Sequence, residues 1–180
     1  KQLVVLALLV PVLGCNSKED ASNENFKEAL NNHYSKNPEC IEVLKVFPMS
    51  IQGASEKIKS LSSVGVLSEN NGEYSVNEGI DFKLGKSMFG GELTKFCYGN
   101  KSVVEVTHFS KPEIIKSGGK YSYATYTFNI QNMAAWAKNE KLFTHFSSLK
   151  ERSSSVEKPI SEKETVILTK SGWEHEKASN

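Results

Sequence analysis

Excess charge of either sign is the first thing this chain lacks: 22 Lys and Arg stand against 21 Asp and Glu in 180 residues. A surface built for nucleic acid or for anionic lipid needs a basic surplus, so overall neutrality argues against both, and nucleic acid is excluded as the expected partner. Long apolar runs are missing too. The longest, Leu3 to Leu13, is eleven residues, against the ~20 that a helix needs to cross a bilayer. Cysteine is scarce, with three residues and no Cys-x-x-Cys spacing, which removes a dithiol redox motif and a zinc knuckle. The four histidines, His33, His108, His145 and His175, fall on separate segments without His-Glu-x-x-His or His-x-His spacing. No metal site or cofactor is therefore expected, and each histidine is read as a hydrogen-bonded structural residue before a ligand or base.

Nucleophile and phosphate motifs are equally thin. Ser-x-x-Lys occurs three times, at Ser117, Ser147 and Ser155, as chance allows in a chain rich in both residues, and the accompanying Ser-x-Asn element is absent between them. In Lys116 to Ser122 the Gly-Lys pair is followed by Tyr121, where a P-loop needs Ser or Thr for magnesium, so a glycine-rich turn is expected instead.

What is present begins with Leu3 to Cys15, LVVLALLVPVLGC, behind the basic Lys1. A short apolar stretch after a positive residue is the build of a signal peptide. Its ending, Val12-Leu13-Gly14-Cys15, resembles the lipobox of bacterial lipoprotein precursors. The resemblance covers about fifteen residues and leaves the folded part unassigned. It implies that 1–14 are removed, that Cys15 receives a diacylglyceryl group and becomes the new N-terminus, and that acyl chains anchor the protein to a membrane. Asn16, in place of Asp after the cysteine, implies the outer membrane. Without Lys1 the remaining chain has 21 basic and 21 acidic residues.

Export would place Cys40 and Cys97 where disulfides form, and with Cys15 acylated they are the only pair; two buried free thiols are the other reading. Residues 15–25 read as a polar tether and 26–176 as a single domain. Within 26–78, Phe26, Ala29, Leu30, His33 and Tyr34 recur at helical spacing, then Ala54, Ile58 and Leu61 do so before Gly65. A polar turn at Asn70-Asn71-Gly72 follows. The order of two helices, turn and strand resembles a winged helix, read here as a packing or protein-binding unit.

From Gly79 the period is two. Leu93–Tyr98 and Val103–Phe109 are expected to pair across a turn at Tyr98-Gly99-Asn100-Lys101, with Tyr121–Ile130 the longest strand. Met133–Leu149, containing Trp136, returns to helical spacing, 151–164 reads as a polar loop, and Thr165–Thr169 as the last strand. The fold class expected is α+β: a helical N-terminal part on an antiparallel sheet of about four or five strands, with the Trp136 helix inserted. Tyr121 and Tyr123 share one face of the long strand, and Tyr126 and Phe128 the other. If the helical half leaves the first face open, it suits a protein or glycan partner. The function expected is a non-catalytic, lipid-anchored envelope module that binds another envelope component. A small periplasmic hydrolase, with histidines meeting only in three dimensions, is the alternative.

Overall fold

The computed structural model describes residues 17–115 and 118–178. The leader and Cys15 lie outside them.

Helix α1 (Asn23–Tyr34) starts where Ser22, in extended conformation, accepts a hydrogen bond from the Asn25 amide. Its buried residues Phe26, Ala29, Leu30 and Tyr34 form one stripe, and that stripe lies on the sheet made by β1 (Glu39–Val43), β5 (Phe82–Lys86), β6 (Glu92–Phe109), β7 (Glu113–Ile114), β8 (Lys120–Gln131), β9 (Ile160–Thr169) and β10 (Gly172–His175). The sheet is antiparallel throughout, with the continuous order β1-β6-β8-β9-β10; β5 adds to β6 and β7 to β8. The expected α+β class holds, and the five-strand path is extended by two short strands.

β6 organises the sheet. Its first half is flanked on both edges, by β1 and by β5, since both pair with Thr94 to Phe96; its second half pairs with β8. At 18 residues it is roughly 60 Å of chain. The turn expected at Tyr98 to Lys101 is absent, because Gly99 is used for close approach: a Cβ there would lie 2.6 Å from Ile130 and 2.9 Å from the Gln131 carbonyl. Strict alternation would put His108 on one face with Val104 and Val106; two bulges later in the strand leave Val104 and Glu105 both outside and His108 exposed while Val106 is buried.

A second, three-stranded sheet is made by β2 (Met49–Ser50), β3 (Leu67–Asn70) and β4 (Glu73–Val76), beside α2 (Glu56–Ser63). Asn71 and Gly72, with φ of 50° and 80°, close the β3–β4 hairpin. The winged-helix reading is only half matched: the helix and hairpin are there, but α1 packs against β6, β9 and β10 of the large sheet.

Three other expectations are corrected. Met133–Leu149 is not one helix. It forms two 3-10 turns, Ala135–Lys138 and Glu140–Leu142, broken where Asn139 turns extended and caps the second through Lys141 N; α3 (Ser147–Ser153) follows. Residues 160–164, read as loop, are the first half of β9. The tether is shorter than 15–25, because the Ser17 and Asp20 carbonyls accept from the Asn25 side-chain Nδ2 and the Glu19 carbonyl accepts from Trp173 Nε1 at 3.1 Å.

One disulfide, Cys40–Cys97, ties β1 to β6 across 57 residues. In the chain-entropy account a loop of that length contributes about 4 kcal/mol at most.

Candidate functional site

Alternation along β8 sorts its side chains. Ser122, Ala124, Tyr126, Phe128 and Ile130 are buried on the inner face, which α1 and the 133–153 segment cover. Tyr121 and Tyr123 point the other way, and Tyr123 remains 39% exposed. Their rings meet edge to face at 5.5 Å, Lys163 Nζ sits 4.5 Å from the Tyr123 ring centre, and Tyr121 donates to Glu113 at 2.7 Å. That bond to a carboxylate raises the Tyr121 pKa above the ordinary phenol. The outer face is thus an aromatic platform with a cation and an anion beside it.

On the inner face, charged and hydroxyl side chains form a connected seam. Tyr34 and Tyr126 hydroxyls are 2.5 Å apart, and Tyr126 donates to Glu162 at 3.2 Å. Lys101 bridges Glu162 and Glu39, and Arg152 from α3 grips Glu39 through Nε at 2.8 Å and reaches Glu162 at 3.5 Å. Two cations therefore meet two carboxylates, with Lys101 Nζ also 4.6 Å from the Phe128 ring centre. Burial pushes the Glu39 carboxyl up, but the hydrogen bond from Arg152 and the charge of Lys101 outweigh it and hold Glu39 below its usual range. Burial raises both Tyr34 and Tyr126, so the hydroxyl pair stays protonated.

Beside the seam, between α1 and β10, a cavity of about 600 Å³ is lined by His33, Asn32, Lys36, Trp173, His175 and Lys177 among others. His33 and His175 stack face to face, centroids 3.9 Å apart and planes 9° from parallel. His175 Nδ1 accepts from the Lys177 amide at 3.0 Å, which leaves Nε2 to carry the proton, 3.7 Å from Glu164. Burial, helped by the neighbouring His33 and lysines, lowers His175 to about 4; burial also lowers His33 and raises Glu164. Both shifts favour the neutral ring. Stacked rings hold their in-plane lone pairs side by side instead of converging, which does not suit shared metal ligation. Among the described residues no group of three or more His, Cys, Asp or Glu is placed to hold a metal ion.

Of the residues singled out from sequence, Tyr121 and Tyr123 meet, Cys40 and Cys97 are bonded, and Cys15 is outside the described residues. The histidine pair and the ion seam were missed. Inward Glu162 and Glu164 disguise β9 as a polar loop, and the 141 residues between His33 and His175 carry no spacing signal. No protein-family model matches the chain, and neither a curated protein nor a solved structure matches it.

Proposed function

We propose that the protein is a non-catalytic binding module of the bacterial cell envelope, lipid-anchored through Cys15, by the outer-membrane reading of Asn16. Its Tyr121–Tyr123 face engages an envelope protein or glycan. One observation carries the binding role: a tyrosine pair already packed edge to face stands on a sheet surface whose opposite side is closed by α1. Two rings held in place offer large amphipathic area with little further loss of side-chain freedom. The Cys40–Cys97 disulfide supports export, since such bonds persist in oxidising compartments.

The test has two arms. A photo-crosslinking residue at Thr125 in intact cells should give a discrete adduct, or purified peptidoglycan should co-sediment the protein, and Tyr121→Ala with Tyr123→Ala should abolish whichever occurs. If neither arm responds, the face is not a binding site. For the anchor, Cys15→Ala should move the protein out of the detergent phase; unchanged partitioning removes the lipid reading.

The hydrolase reading has one observation in its favour, two histidines in an open cavity. Against it, among the described residues the cavity lining includes no Ser, Thr or Cys to act as nucleophile, and a histidine held at about 4 is a weak base near neutrality.

A further inference from the structure

We infer that the tip of the β5–β6 hairpin is a second, separate contact site whose partner is an anionic lipid surface. The tip is Ser87-Met88-Phe89-Gly90, and its two central side chains are in solvent, Met88 at 94% and Phe89 at 95% exposure. Leu84 and Phe82, two and four positions along the same face of β5 from Lys86, are 64% and 44% exposed. Four large apolar side chains thus line one short projection.

The turn is built. Ser87 N donates to the Gly91 carbonyl, Gly90 N to the Ser87 carbonyl, and Gly91 N to Ser87 Oγ at 3.0 Å, with Gly90 at a φ of 82°. Met88 and Phe89 are therefore presented by a closed, self-bonded loop and not by a loose end. Charge supplies the identity of the partner. Residues 82–95 hold Lys83, Lys86 and Lys95 against the single acid Glu92, which sits opposite Lys86; Lys95 is engaged by Glu42 at 2.7 Å, while among the described residues Lys83 and Lys86 form no ion pair. A convex apolar finger on a basic stem needs a preformed cavity to dock on a folded protein, whereas the headgroup layer of an anionic bilayer accepts the finger and attracts the stem.

The tip lies at the start of β6, while Phe109 at its far end pairs beside Ala124, close to the end of the sheet where Lys18 packs on Gly172. Lipid contact at the tip together with an anchor on Cys15 would hold the domain at both ends, with β6 along the membrane. The tip inference stands without acylation.

The experiment uses the full chain with Cys15→Ser, leaving Met88→Cys as the one free thiol for an environment-sensitive nitrobenzoxadiazole label. Mixed with protein-free vesicles containing phosphatidylglycerol, the label should brighten and shift to the blue. Lys83→Gln with Lys86→Gln should return it toward its emission in water, and a label at Glu157→Cys should stay water-like. No change at position 88 overturns the inference. So does an equal change at 157, which reports general adsorption, a change without vesicles that grows with protein concentration, which reports self-association, or one that requires added envelope protein.

Discussion

The two faces of the large sheet use similar side chains to opposite ends. Inside, the Tyr126 hydroxyl accepts from Tyr34 and donates to Glu162, Lys101 and Arg152 neutralise Glu39 and Glu162, and among the described residues no buried side-chain nitrogen or oxygen is left without a partner. Outside, Tyr121 and Tyr123 satisfy each other's edges and leave ring surface in water. A tyrosine on β8 is structural or available for binding according to which side of the pleat it occupies, because α1 covers only one side.

That contrast can be broken most sharply at Lys101. Lys101→Met should cost about 2–4 kcal/mol in urea unfolding, since Glu162 loses its close ion pair and keeps only Arg152 at 3.5 Å and the Tyr126 hydroxyl, while Glu39 stays held by Arg152; a loss under 1 kcal/mol would mean that the seam is wetter and closer to the outer face in character. Tyr126→Phe comes next, at about 1–3 kcal/mol, because Tyr34 keeps a buried hydroxyl without its partner.

Acid should distinguish the faces as well. His175 is held near 4 when folded and titrates near 6.5 when unfolded, so between those values the unfolded chain binds the extra proton. The stability due to a neutral His175 is therefore present above about 6.5 and is lost as pH falls toward 4; His33 acts in the same sense, while Glu164, raised by burial, works against them. His175→Phe should flatten the decline of melting temperature over that window, and an unchanged slope would remove the histidine stack as its cause. The smallest stability effect is expected outside: Tyr123→Ala should change unfolding by only about 0.5 kcal/mol while removing binding in the crosslinking assay. A large loss of stability there would make the outer tyrosines core residues after all.

Sequence reading went furthest where one period ran unbroken. The α1 stripe from Phe26 to Tyr34, the Tyr121–Ile130 strand and the Asn71-Gly72 turn were legible because local backbone preference and burial agree there. It failed where distant chain supplied the reason. Gly99 resembles a turn residue until Ile130 is seen against it, and Glu162 resembles loop until Arg152 and Lys101 arrive from other elements.

By itself the sequence determined the α+β class, the balance of charge, the pairing open to Cys40 and Cys97, and which tyrosines share a face, since these depend on composition and on the two-residue period of a strand. Only the tertiary structure decided which face α1 would cover, which acids would meet which bases, and that His33 would stack on His175. Those are contacts between residues far apart in the chain, set by packing free energy and invisible to any local pattern.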